Sequence, residues 1–181
     1  MIFPVYEDDI YMMREMALDD ANDMFEYLRD KDVMRYTASP THITIEDTKA
    51  MIRKLSSSFP DGKGIAWVVV DKQSNKAIGH IGLYYTDVNK MNASVGFIIS
   101  PAYQNHGIAT WALGNCINFG LNQLKVTRIE AKCKSVNVAS ERVMQKCGMV
   151  FLEMKKSPFL VDGIYYDIKT YIISLNKDYI V

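Results

Sequence analysis

No stretch of about 18 consecutive apolar residues occurs in the chain, so no segment reads as a bilayer-crossing helix. The first residues include Glu7, Asp8 and Asp9 and lack a basic segment followed by an apolar one, so a secretory leader is not expected. Cysteines are only three, Cys116, Cys133 and Cys147, widely spaced and never in a Cys-x-x-Cys pair. They suggest neither a disulfide framework nor a zinc site, and read as small buried apolar groups in a reducing cytoplasm. Charge of one sign is not in excess: 21 basic residues balance 21 acidic ones, which removes the electrostatic footprint of non-specific nucleic-acid binding. Gly-x-x-x-x-Gly-Lys-Ser/Thr and Gly-x-Gly-x-x-Gly are both absent, which disfavours a P-loop nucleotidase and a common dinucleotide site. Nucleic acid, membrane and metal are thus left out of the expected partners.

What is present is an ordinary globular composition, 49% apolar and 23% charged, over a length that suits one α/β (α+β) domain at 1–181. A strand is expected from Ile10 to Met16. A helix follows, capped by Asp19, with Ala21, Met24, Phe25 and Leu28 on one face. Thr44 with Asp47 three residues on opens a second helix that buries Met51, Ile52 and Leu55. The polar, Pro-broken stretch from Tyr36 to His42 between them is a loop, either an inert connector or a contact for substrate. Ile65 to Val70 is almost wholly apolar, as a strand covered on both faces would be. Short polar turns lead from it into Ala77 to Tyr85 and Ala93 to Ile99, which predicts an antiparallel meander. A buried helix is expected from Gly107 to Asn122, a strand from Arg128 to Cys133, and a helix from Val138 to Cys147 burying Ala139, Val143 and Cys147. Asp162-Gly163 suits the turn of a closing hairpin.

The stretch from Ile98 to Trp111 carries the most chemistry. An apolar strand ends in a Pro101 turn, and a helix opens at a glycine. Unpaired N–H groups and a partial positive charge make a helix start a seat for a pyrophosphate. Gly107 would let the backbone approach the phosphates, and the small Ala109 would leave room beside them. A glycine before a helix is also common without any anion.

Gln104-x-x-Gly107-x-Ala109 resembles the Gln/Arg-x-x-Gly-x-Gly/Ala signature of the GNAT superfamily of N-acetyltransferases. The block from Asn137 to Met149, with Asn-x-x-Ser and Lys-x-Gly-hydrophobic, looks like the version in RimJ/RimL-type enzymes, which act on ribosomal-protein N-termini. Met13 to Ala21, Val33 to Tyr36 and Asp162 to Asp167 are similar to that group as well. The resemblance implies a central, mostly antiparallel sheet of about seven strands, splayed in the middle, with about four helices and acetyl-coenzyme A (acetyl-CoA) in the split. It implies that the backbone of Phe97, Ile98 and Ile99 pairs with the pantetheine arm. Amides of Gln104, Asn105, His106, Gly107, Ile108, Ala109 and Thr110 would hold the pyrophosphate. Asn137 would hydrogen-bond the pantetheine, or simply cap its helix. Ser140 would protonate the leaving thiolate, or be a solvated or backbone-bonded hydroxyl.

Direct attack of an amine on a thioester needs a neutral amine and a stabilised oxyanion, for which an N–H of Ile98 or Ile99 is suited. Many GNAT members carry a glutamate base where this chain has Ser94, and a tyrosine acid where it has Met144. His80, His106, Glu130 and Glu153 are the titratable groups available. An α-amine, with a pKa of about 7.7–8.0, is roughly a tenth neutral at pH 7, whereas a lysine amine near 10.4 is not. A weak base therefore suits a protein N-terminus. The alternatives are a small-molecule amine, such as an antibiotic or polyamine, and a non-catalytic CoA-binding protein. A monomer or a homodimer is expected.

Overall fold

A computed structural model describes residues 2–161 and 164–175 of the chain. Eight strands form one sheet in the order β1-β2-β3-β4-β5-β6-β8-β7. They are β1 (Tyr6–Glu7), β2 (Tyr11–Glu15), β3 (Gly64–Asp71), β4 (Lys76–Tyr85), β5 (Asn92–Ile99), β6 (Arg128–Lys134), β7 (Val150–Val161) and β8 (Ile164–Ser174). Every neighbouring pair is antiparallel except β5 and β6, which run parallel. Five α-helices cover the faces: α1 (Ala21–Leu28), α2 (Lys31–Met34), α3 (Ile45–Ser56), α4 (Ile108–Asn118) and α5 (Val138–Lys146). The mostly antiparallel sheet matches the expected fold, with one strand and one helix more than anticipated. The turn expected at Asp162-Gly163 lies outside the described residues.

The apolar run of β3 is explained by its place between two cores. Successive side chains of a strand point to opposite faces. Ile65, Trp67 and Val69 join the core under α4 and α5, whereas Ala66, Val68 and Val70 join the core under α1 and α3. Both sets are buried, so no position from Ile65 to Val70 can be polar.

Helix starts differ in detail from the sequence pattern. Asp20, rather than Asp19, organises the entry to α1. Its carboxylate accepts from the Ala17 N–H at 2.7 Å and takes both terminal nitrogens of Arg14, at 2.9 and 2.6 Å. Asp20 is 5% exposed, so this forked pair gives the chosen aspartate a partner that Asp19 lacks. At α3 the expected device is present: the Asp47 carboxylate accepts from the N–H groups of Ile43 and Thr44 at 2.9 and 2.8 Å. Ile52 is buried on that helix, with Met51 and Leu55 half-buried. On α5, Ala139 is exposed and Met144 is the buried residue, with Val143 and Cys147 half-buried. Cys116 and Cys133 are buried.

Candidate functional site

The parallel pair β5/β6 opens partway along its length. Asn92 to Val95 are in register with Arg128 to Ala131, and there the ladder stops. β5 continues through Gly96, Phe97, Ile98 and Ile99, held on its other edge by β4, and β6 continues to Lys134, held by β8. Between them lies a wedge with two strand edges facing it and no strand in it. Each of these strands runs into a helix, so α4 and α5 both begin toward the wide end. Of the residues expected to meet the pantetheine, Ile99 is buried while Phe97 and Ile98 are half-buried.

The link from β5 to α4 is built to bare its amides. The Gln104 side chain donates to the Ile99 carbonyl at 3.0 Å and ties the loop to the strand end. The Gln104 N–H is itself used, donating to Pro101 O at 3.2 Å. The next six N–H groups, from Asn105 to Thr110, make no hydrogen bond within the chain among the described residues. Asn105 and Gly107 take positive φ, 65° and 80°, on either side of His106. That left-handed geometry turns the chain tightly into α4, and glycine meets it without strain. A Cβ built on Gly107 would meet nothing within 4 Å, so the approach to these amides is open. The aligned dipoles of α4 add to their attraction for an anion.

Asn137 caps α5, its Oδ1 accepting the Ser140 N–H at 3.1 Å, and its side-chain Nδ2 makes no hydrogen bond among the described residues. Capping thus leaves a donor over for a ligand. The half-buried Ser140 hydroxyl has no hydrogen-bond partner among the described residues. It lies one turn before the buried Met144, on the side of α5 that meets the sheet. That turn is pinned: Glu141 accepts from Lys169 at 2.9 Å and from the buried Tyr171 hydroxyl. Tyr171 is pushed up to about 12 by burial and by Glu141, while Glu141 is held low by the Tyr171 and Lys169 hydrogen bonds.

The four titratable groups named from sequence are not brought together. His106 is exposed on the loop, its Nδ1 3.3 Å from Tyr103 O. Glu153 pairs with Lys155 on β7. Glu130 sits across the ladder from Ser94, at the vertex of the wedge, bridged by Arg128 at 2.6 Å and Lys132 at 3.8 Å. His80 on β4 lies with its Nδ1 3.1 Å from the Tyr27 hydroxyl, and burial pushes it down to about 4. Because its folded value is below the unfolded 6.5, the unfolded chain binds more protons between those values, and stability falls as pH drops through them. The full effect is about 3 kcal/mol. Melting temperature should decline from pH 6.5 to 5, above most carboxylate titrations, and the decline should be clearly shallower in His80→Gln; identical slopes would remove His80 as its source.

A second feature was not visible in the sequence. Where β6 runs past its last β5 partner, a cleft of about 340 Å³ opens beside Lys132, Cys133 and Lys134. Tyr36, Thr37 and Ala38 wall it on one side, and Lys155, Ile168 and Thr170 on the other. The loop that could have been an inert connector therefore walls this cleft beside β6. The Cys133 thiol is pushed up to about 11, by burial first, so it is no ready nucleophile.

With this geometry in place, similarity to known proteins is specific. Residues 11–150 match the family model described as an acetyltransferase (GNAT) domain. The uncharacterised N-acetyltransferase YoaA of Bacillus subtilis is 26% identical over 172 residues, covering 95% of this chain and 97% of that protein. The crystal structure of ribosomal-protein-S5-alanine acetyltransferase from Vibrio fischeri superposes with a TM-score of 0.85 at 22% identity, over 96% of this chain and 98% of that one. Spermidine N-acetyltransferase from Vibrio cholerae, solved with CoA and spermine, gives 0.80 at 19% identity, over 92% and 96%. Those two likenesses carry the fold. The wedge, the bared amides and the family match agree: the chain belongs to the GNAT family of acetyltransferases and is an acetyl-CoA-dependent N-acetyltransferase.

Proposed function

We propose that this enzyme acetylates the α-amine of a peptide or protein N-terminus by direct attack on the thioester of acetyl-CoA. The observation that carries the choice of acceptor is the weakness as a base of His80, the histidine paired with Ile98 across β4 and β5 at the edge of the wedge. His80 is held down near 4 and bonded to Tyr27, the position facing Glu130 is Ser94, and Glu130 is bridged by two cations. An acceptor already partly neutral, as an α-amine with pKa of about 7.7–8.0 is, needs the least help. Fold relatives of both kinds exist, one named for ribosomal-protein S5 alanine and one for spermidine, so the fold itself favours neither.

In this reading the amides from Asn105 to Thr110 bind the diphosphate, and the free edge of Phe97, Ile98 and Ile99 aligns the pantetheine. Gln104 contributes by fastening the loop, since its own N–H is occupied. The Asn137 amide nitrogen adds a bond to the pantetheine. An N–H of Ile98 or Ile99 steadies the oxyanion. The Ser140 hydroxyl gives its proton to the thiolate as the C–S bond breaks and is reprotonated from water, which also takes the proton leaving the amine. Holding both reactants in one cleft supplies several kcal/mol of the lowered barrier.

Ser140→Ala should lower kcat by about 10²-fold, within the range usual for one proton donor, with the KM for acetyl-CoA little changed. An unaltered kcat would remove Ser140 from the chemistry. The acceptor class is tested by thiol release with a panel of N-terminal peptides and a panel of small amines including spermidine. Peptide turnover should dominate; exclusive use of small amines would contradict the proposal.

A further inference from the structure

The sheet is open on one face at the vertex of the wedge. Val95, Phe97 and Ile99 pack into the core under α4 and α5, so Ser94, Gly96 and Ile98 turn to the other face. Register sets two rungs there: Tyr84 with Ser94 and then Glu130, and beside it Gly82 with Gly96. The middle of a central strand is ordinarily covered, yet Gly96 is exposed, and a Cβ built on it would meet nothing within 4 Å. Its φ lies outside the left-handed region, so neither backbone nor packing calls for a glycine. Gly82 does have a packing reason. The Tyr84 ring folds back along β4 and lies over it, so that a Cβ on Gly82 would stand 2.5 Å from the Tyr84 hydroxyl oxygen. That hydroxyl is thereby carried to the border of the space over Gly96.

Two half-buried hydroxyls border the opening, those of Tyr84 and Ser94. Neither makes a hydrogen bond among the described residues, and neither oxygen is sealed from solvent. Burial pushes Tyr84 up to about 12, so its hydroxyl stays neutral. Glu130, the third member of the rung, is committed to Arg128 and Lys132. Gly96 is also the first residue of β5 beyond its ladder with β6. An arm that starts at the α4 amides and runs along Ile99, Ile98 and Phe97 ends beside it. With α4 and α5 closing the opposite face, an amine reaches that end from the side of Tyr84 and Ser94.

We propose that the hydroxyl oxygens of Tyr84 and Ser94 hold the acceptor amine over Gly96, each accepting one of its N–H groups. A neutral primary amine carries two N–H groups and one lone pair. With both N–H groups engaged, the lone pair is left to point at the thioester carbon in the wedge. This role rests on the placement of acetyl-CoA argued above and adds a selection to it. A secondary amine leaves one oxygen without its partner and brings a carbon against it, so primary amines are preferred.

The test uses the full chain with acetyl-CoA and measures acceptor kcat/KM for two peptides, identical except that one begins with alanine and the other with N-methylalanine. Spermidine, and spermidine methylated on both terminal amines, stand beside them. The native enzyme should favour the alanine peptide by about 10²-fold. Tyr84→Phe and Ser94→Ala should each lower its turnover by about tenfold and affect the methylated peptide less, so that the preference narrows. The melting temperature and the acetyl-CoA KM should stay native, because neither hydroxyl has a partner within the chain to lose. Gly96→Ala should likewise keep the melting temperature, while its methyl group, standing where the amine is to sit, lowers turnover by about tenfold. Native kcat/KM in both hydroxyl variants, an unchanged preference between the peptides, or a loss expressed in the acetyl-CoA KM would overturn the role of the hydroxyls while leaving the N-terminal acceptor standing. Should only small amines react, the N-terminal reading falls. The role of the hydroxyls then stands if the two variants narrow the preference for spermidine over its methylated form, and falls if they do not.

Discussion

Gly107→Glu is expected to eliminate measurable acetyl-CoA binding, a loss of at least about 10²-fold or 2.7 kcal/mol, while the protein remains folded. The fold survives because a Cβ at this position enters open space and the left-handed conformation costs a side chain only about 1–2 kcal/mol. Binding fails because the new carboxylate stands among the six bared amides, where the diphosphate is to lie. Two like charges about 4 Å apart near a protein surface repel by about 4 kcal/mol. Gly107→Ala separates the two effects: it carries the strain without the charge and should keep binding within about tenfold of the native value. Thermal-shift titrations read both, since a ligand specific to the folded state raises the melting temperature. Equal stabilisation of Gly107→Glu and the native protein by acetyl-CoA would show that the diphosphate lies elsewhere.

Trp67→Ala should cost about 4 kcal/mol of folding stability, the largest single loss expected for a core position here. The side chain is fully buried in the middle of β3, beneath the end of α4. Its indole N–H donates to the Pro4 carbonyl at 2.8 Å, and its ring meets those of Phe3, Tyr6 and Phe119 edge-on at 6.1, 6.2 and 5.4 Å. Truncation leaves a large cavity and an orphaned carbonyl together, and releases the N-terminal segment from the sheet. Trp67→Phe keeps much of the volume and loses the hydrogen bond, so a smaller loss of about 1–2 kcal/mol is expected. Urea denaturation reads the differences. A loss under 1 kcal/mol for the alanine variant would mean that this cluster contributes little.

What the sequence disclosed and what it hid follow a physical line. The meander of β3, β4 and β5 was legible because its apolar runs are continuous and its turns polar, a pattern set by neighbours along the chain. The start of α4 was legible because one glycine and a proline turn mark it. The seam of α5 was read in part: Val143 and Cys147 turn inward as expected, whereas Ala139 is exposed and Met144 is the buried residue. Its inward stripe is the buried Met144 with Ser140, Val143 and Cys147 half-buried, and a serine at the head of that stripe looks solvated until the sheet is placed beneath it. Asp20 displaced Asp19 as the entry to α1 because Arg14 faces it from β2, a partner no local rule supplies. β1 and α2, of two and four residues, are too short for any period to register. The cleft was the least visible of all. Its walls come from residues 36–38, 132–134, 155, 168 and 170, and only the register of β6, β8 and β7 brings those lysines onto one face.

The central claim is that the wedge beyond Val95 and the amides leading into α4 receive acetyl-CoA. Amide hydrogen exchange followed by mass spectrometry, with and without saturating acetyl-CoA, tests it most directly. Slowed exchange concentrated in residues 96–110, with β3 unaffected, is the predicted result. Saturation of the protein with exchange in that segment unchanged, and slowed elsewhere, would contradict it.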